Sequence, residues 1–216
     1  MEDNRTPLII IGTDVAARIA LDITLSLDML VYGFLSEEEE KVNQEISDVL
    51  IVAALGSKDA DILLRDEHIK RVLGFRDGDK RRTMLLELDE MPGDYINLFH
   101  PSTILSPTVR FGRGNLIHAG SVLQTQVLLG SFNMLGTHVS IGPDTLIGDY
   151  CTIQDGVRIG REVEIEDEVF IGMGAIINPG VALGEGCMVG PGAVVLHDVE
   201  PGNSVFGNPA RTGRED

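Results

Sequence analysis

The chain contains no tryptophan, two cysteines and few aromatic residues, which make up 5% of it. The two thiols, Cys151 and Cys187, have no metal-type spacing around them and read as small apolar groups of the core. Positive charge is also scarce: 17 Lys and Arg face 34 Asp and Glu, for a formal charge of −17. Affinity for phosphodiester backbones comes mainly from lysine and arginine releasing counterions, so no nucleic-acid partner is expected. Long hydrophobic runs are absent. PLIII near the start and VLIVAAL at 49–55 fall far short of the roughly 18 to 20 residues of a membrane helix. The opening MEDNRTP is polar and acidic, where a secretory signal is basic and then apolar. A soluble, cytoplasmic protein is therefore expected.

What is present is a core and a strict period. At 216 residues and 43% apolar content the chain can fold as one large domain or two small ones. From Leu105 to Val195 every sixth residue is a large apolar one, running through Phe111, Ile117, Leu123, Leu129 and Leu135 to Ile141, Ile147 and Ile153, and on without insertion. Four positions after each stands a small or β-branched residue in nearly every case, such as Ser121, Thr145, Cys151 and Ala175. Period six fits neither a helix nor an alternating strand. It is satisfied by short parallel strands joined by tight corners, three to a coil, which predicts a left-handed parallel β-helix of about five coils. Glycines directly after many of the aliphatics, as at Gly130 and Gly142, are expected to supply the backbone freedom of the corners.

The first hundred residues follow other periods. PLIIIG reads as a buried strand, the stretch at 13–27 as an amphipathic helix with a stripe at Ala16, Ile19, Ile23 and Leu27, and MLVYGFL as a second strand. VLIVAAL, RVLGF and YINLF are further strands, with helices around 57–68 and 78–89. That alternation predicts a small parallel α/β domain over 1–100, ending where proline follows His100, and a β-helix domain with a C-terminal tail over 101–216.

Together these segments resemble a known family. PLIIIG, VYGFL, NLFHPS at 97–102, IGDY at 147–150, VFIGMGAIINPGV at 169–181, VGPGAVVLHDV at 189–199 and GNPAR at 207–211 are similar to bacterial hexapeptide-repeat sugar acyltransferases of the sialic acid O-acetyltransferase and bacillosamine N-acetyltransferase type. The resemblance implies a homotrimer, a Rossmann-like N-terminal domain holding a nucleotide-linked sugar, and acetyl-CoA lying along the β-helix between subunits. It implies a coenzyme wall at Gly172, Gly174, Pro191, Gly192, Asn208 and Pro209, and an acceptor site around Gly12, Thr13 and Asp14. Apart from the resemblance, RDGDKRR at 76–82 is the concentrated basic stretch of the chain, and its Arg76 and Lys80 are expected to meet a phosphate from the side opposite Asp14. No metal is implied.

Two departures stand out. The family's histidine before IGD, which removes a proton from the acceptor, falls at Pro143, and a second family histidine falls at Thr152. The usual glycine-rich first loop is reduced to GTDVAA, where Asp14 sets a carboxylate at the place meant for a diphosphate. The replacement base is expected to be His138, one coil from His118 and with Asp155 on nearly the same corner to raise its basicity. His118 and His138 supply two of the three ligands that a catalytic zinc needs, so zinc is not expected. The reading is an acyl-CoA-dependent transferase acting on an amino or hydroxyl group of a sugar. Its rival is a non-catalytic trimeric scaffold or regulatory homologue of the same fold.

Overall fold

The run Leu8 to Ile11 is apolar on both sides, as a strand covered on both faces must be, and all four residues are buried at the centre of a sheet. The computed structural model that shows this describes residues 7–88 and 93–213. It divides into two units, Met1–Pro101 and Ser102–Asp216.

In the first unit, β1 (Leu8–Ile11), α1 (Val15–Ser26), β2 (Val31–Ser36), β3 (Glu45–Ile46), β4 (Val49–Ala54), α2 (Lys58–Arg65), β5 (Lys70–Leu73) and α3 (Gly78–Glu87) follow one another. The sheet order is β3-β4-β2-β1-β5, and β1, β2, β4 and β5 run parallel. Strand order reverses beside β1, which opens a crevice at the carboxyl ends of β1 and β5. The small edge strand β3, unexpected from sequence, pairs antiparallel with β4 through Ser47 and Asp48, both at positive φ as a tight two-residue hairpin requires. YINLF is shorter than expected: Tyr95 makes a single bridge to Arg71, and only Leu98–Phe99 is a strand.

Arg71 is fully buried in this unit. Its guanidinium donates to the carbonyl of Leu64, near the last turn of α2. Burial pulls its pKa down, while Tyr95, Asp66 and Asp94 hold it up. The carboxylates and the helix carbonyl thus keep the cation charged inside the fold.

The second unit is a left-handed parallel β-helix. Its first face stacks the strands at 104–105, 122–123, 140–141, 158–159, 176–177 and 194–195. The second face stacks 110–111, 128–129, 146–147, 164–165 and 182–183. The third carries 116–117, 134–135, 152–153, 170–171, 188–189 and 204–206, closed by the antiparallel strand Arg211–Thr212. Partners are always eighteen residues apart along the regular coils, as in Leu129↔Ile147 and Ile147↔Ile165. The sixth-position residues from Ile117 to Val195 are all buried, none more than 4% exposed. The first coil differs, since Leu105 is half-buried and Phe111 is 43% exposed. Among the described residues the strands at 104–105 and 110–111 end their sheets, with no strand paired beneath them.

The corners correct one expectation. Gly130 and Gly142, directly after the aliphatics, have no positive φ. They are glycine because the next coil leaves no room: a Cβ on Gly142 would lie 2.6 Å from the carbonyl carbon and oxygen of Gly160. Left-handed backbone is needed two residues later, at the third residue after the aliphatic. There Gly174 has φ 68°, but Gln126, Phe132, His138, Asp144, Tyr150, Glu162 and Glu168 also adopt it. The N–H of that residue donates to the preceding coil, as His138 does to Ala119 O at 2.9 Å and Tyr150 to Ser131 O at 3.0 Å. This repeated bond offsets the steric cost of a left-handed side chain.

Corner amides also receive side-chain caps. Asp149 Oδ1 accepts from Ser131 N at 2.7 Å, and Asp167 Oδ1 accepts from Asp149 N at 2.7 Å. Inside the bore, Asn133 donates to Gly148 O at 2.9 Å and accepts from Cys151 N at 2.7 Å. Ser121 and Thr145 likewise donate to Gly136 O and Gly160 O. Buried backbone groups left unpaired would each cost about 1 to 3 kcal/mol, so these polar residues belong to the core.

Candidate functional site

At the amino end of α1 the backbone N–H groups of the first turn point outward and favour negative charge. Asp14 meets them as the helix N-cap: Oδ1 accepts from Ala16 N at 2.7 Å and Ala17 N at 3.3 Å, and Oδ2 accepts from Arg76 N at 3.3 Å. Gly12, with φ 113°, is pressed between Gly74 O and the Phe75 ring, where a Cβ would lie at 2.9 and 3.0 Å. Thr13 is half-buried between them. The loop at 74–77 is held from behind by Arg81, a residue sequence reasoning left in the basic stretch. Arg81 is buried and its Nη1 donates to Phe75 O at 2.9 Å and Arg76 O at 2.7 Å. Lys80 reaches Glu37 Oε2 at 2.5 Å and lies 4.9 Å from the centre of the Phe75 ring. A cavity of about 250 Å³ opens there, lined by Glu37, Asp79, Lys80, Thr83, Met84 and Glu87. Gly12, Thr13, Asp14, Arg76 and Lys80 therefore come together around the carboxyl ends of the sheet strands.

On the β-helix, His138 stands at the corner between the third and first faces, exposed, with φ 55°. Its ring overlies Gly120, where a Cβ would lie 2.5 Å from Nδ1, and it makes no hydrogen bond among the described residues. His118, half-buried, precedes it by one coil but at a different position of the same corner. Its N–H donates to Leu135 O at 2.9 Å. Asp155 does not support the His138 imidazole in the way its spacing suggested. Its Oδ1 accepts from Thr137 N at 2.6 Å and Thr137 Oγ1 at 3.0 Å, the same capping role that Asp149 plays at another corner. One step of address along a corner turns the carboxylate onto an amide of the preceding coil.

Beyond His138 the same corner position is occupied in three successive coils by Gly156, Gly174 and Gly192. A Cβ on Gly174 or Gly192 would meet nothing within 4 Å. Gly172 is close-packed instead, its Cβ position 2.6 Å from Pro191 N. The segment 207–210, with a cis bond between Asn208 and Pro209, folds over the end of the first face: Val194 N donates to Gly207 O at 3.0 Å and Ala210 N to Val194 O at 2.8 Å. Across two steps of roughly 4.8 Å each, this bare strip runs about 10 Å from Gly156 to Gly192.

Pro143 lies at the next corner, between the first and second faces, and its carbonyl accepts from Glu162 N at 2.9 Å. Thr152 is buried on the third face between Met134 and Phe170. His197 is exposed on the corner of Pro143, three coils further on. Cys187 is buried, and desolvation, with Glu166 nearby, pushes its thiol up to about 12. At neutral pH it is an inert thiol. No group of three His, Cys, Asp or Glu among the described residues could hold a metal ion, and no described helix is long and apolar enough to cross a membrane.

Comparison with known proteins bears on this arrangement at two levels. Two family profiles match within the β-helix, the bacterial transferase hexapeptide (six repeats) over residues 162–197 and the hexapeptide repeat of succinyl-transferase over 138–165. No curated protein sequence matches. Among solved structures, a point mutant of perosamine N-acetyltransferase from Caulobacter crescentus, in complex with CoA and GDP-perosamine, superposes with a TM-score of 0.89 at 22% identity over 97% of both chains. The acetyltransferase domain of PglB from Neisseria gonorrhoeae, with acetyl coenzyme A, gives 0.86 at 20% over 96% of this chain and 99% of the other. WeeI from Acinetobacter baumannii gives 0.84 at 21% over 95% and 99%. At these identities the likeness establishes the fold, and it does so for both units in the same order: the chain carries hexapeptide repeats on a scaffold similar to that of sugar N-acetyltransferases.

Proposed function

We propose that this chain is a CoA-dependent acyltransferase that acts on an amino or hydroxyl group of a sugar. The observation that carries the reading is the match of the whole chain, α/β unit and β-helix together, to structures that hold CoA and a sugar nucleotide. The 3-2-1-4 order of β4, β2, β1 and β5 supports a Rossmann-like description of the first unit. The strip of Gly156, Gly174 and Gly192 supports a coenzyme wall, because an extended thioester arm needs a surface with no side chains in its way. Flat outer faces with exposed apolar residues such as Leu128, Leu146 and Ile176 support assembly as a homotrimer.

In this reading His138 is the base. Its unbonded imidazole stands at the foot of the glycine strip, takes the proton from the attacking amine or hydroxyl and returns it to the departing CoA sulfur. An amine that is already deprotonated needs less from the histidine than a hydroxyl does. Calorimetric titration of the full chain with acetyl-CoA tests the assignment: micromolar binding supports the transferase, and no binding up to millimolar concentration supports a scaffold. His138→Ala is expected to abolish transfer and to leave acetyl-CoA binding within about threefold of the parent. Unchanged turnover in that variant would move the base elsewhere.

A further inference from the structure

We propose that Asp14 is a specificity-determining residue that shuts out phosphate-linked acceptors, so that the α/β unit takes a sugar bearing hydroxyl and amino groups but no diphosphate. The inference deepens the acyltransferase reading and rests on it. In open α/β sheets, diphosphates sit where the strand order reverses, held by the first-turn amides of the helix that follows β1. Here those amides are taken. The two oxygens of Asp14 accept from Ala16, Ala17 and Arg76 N–H groups, which leaves an anion facing a carboxylate instead of a ring of donors. Bulk adds to charge, because the side chain of Val15 stands 54% exposed on the first turn.

The cavity between Glu37 and α3 points the same way. Three of its six lining residues, Glu37, Asp79 and Glu87, are acidic, and its one cation, Lys80, is engaged by Glu37 at 2.5 Å. Carboxylates and the Thr83 hydroxyl suit a ligand that donates hydrogen bonds, as an ammonium or a polyol does, and repel a phosphate. The perosamine enzyme with the same fold holds a GDP-linked sugar. In this chain Asp14 supplies internally the negative charge that a nucleotide would otherwise bring.

The test is titration of GDP, UDP and dTDP into the full-length parent, Asp14→Asn and Asp14→Gly, with thermal melts to establish that each variant is folded. The parent is expected to bind none of the three below millimolar concentration. Asp14→Gly is expected to gain at least about tenfold in affinity for one or more of them, and Asp14→Asn, which keeps a helix cap but no charge, to gain less. Micromolar binding by the parent overturns the proposal, as does a folded Asp14→Gly variant whose nucleotide affinity is unchanged. Acetyl-CoA titrated into the same samples separates this from the acyltransferase reading. Acetyl-CoA binding together with micromolar GDP binding overturns the role of Asp14 alone, and absence of acetyl-CoA binding counts against the transferase whatever the nucleotides do.

Discussion

The α/β unit solves each buried polar problem once, whereas the β-helix repeats one solution at every coil. Arg71 has a single arrangement in the molecule: a buried cation reaching the Leu64 carbonyl, with Asp66, Asp94 and Tyr95 maintaining its charge. In the β-helix the role of a residue follows from its address within the eighteen-residue coil. Asp149, Asp155 and Asp167 all cap the amide of the preceding coil at the same address, and Ser121, Asn133 and Thr145 all bond corner backbone from the bore. The comparison teaches that substitutions in the β-helix are predictable from position alone, while those in the α/β unit require the individual contact.

The largest expected effect is at the bore. Ile147→Asp places a carboxylate at a position 4% exposed, beside Leu129 and Ile165, with no partner. Soluble folded protein is expected to be absent on expression, and a folded variant by circular dichroism would break the address rule at its strongest point. Next comes Arg71→Ala, which leaves the Leu64 carbonyl and the nearby acidic groups without their cation. A loss of about 3 kcal/mol or more in urea unfolding is expected, against under 1 kcal/mol for the exposed Arg158→Ala.

Two glycine substitutions sharpen the comparison further. Gly142→Ala drives a methyl into the Gly160 backbone and is expected to cost about 2 to 3 kcal/mol. Gly180→Ala has open space around it and φ 73°, so only left-handed strain of about 1 kcal/mol is expected. Equal losses would refute the separation between close approach and corner conformation.

The effect that is smallest at neutral pH grows with alkalinity. The Cys187 thiol is raised to about 12 by burial, while in the unfolded chain it ionises near the ordinary thiol value of about 8.5. Between those values the unfolded state releases the proton first, so stability falls as pH rises, by up to about 1.4 kcal/mol per unit, and below that window the group contributes no slope. Cys187→Val, which keeps a small apolar group, is expected to flatten the alkaline limb and leave stability at pH 7 within about 1 kcal/mol. An unaltered alkaline limb would assign the loss to other groups.

Much of this was legible in the sequence because period six is a local rule. Every sixth aliphatic from Ile117 to Val195 lies inside the bore, and β1, α1, β2, β4 and β5 fall where apolar runs and helical stripes put them. The glycines were legible as necessary, but not the reason for them. Whether Gly142 serves conformation or clearance depends on Gly160, eighteen residues away and one coil above. The same limit applied to Asp155, whose spacing from His138 suggested support for the imidazole and whose hydrogen bonds run to Thr137. Arg81, inside a basic stretch that reads as facing the acceptor, is buried under the 74–77 loop because α3 turns it inward.

By itself the sequence determined the coil, the bore and the order of the two units, since hydrophobic period and strand-helix alternation are set by neighbours along the chain. Only the tertiary structure decided which groups meet at a site. A glycine strip leading away from His138 is made by residues eighteen apart, and the Asp14 carboxylate meets Arg76 only because β1 and β5 pair side by side. Such contacts are paid for by folding as a whole, and no local pattern records them.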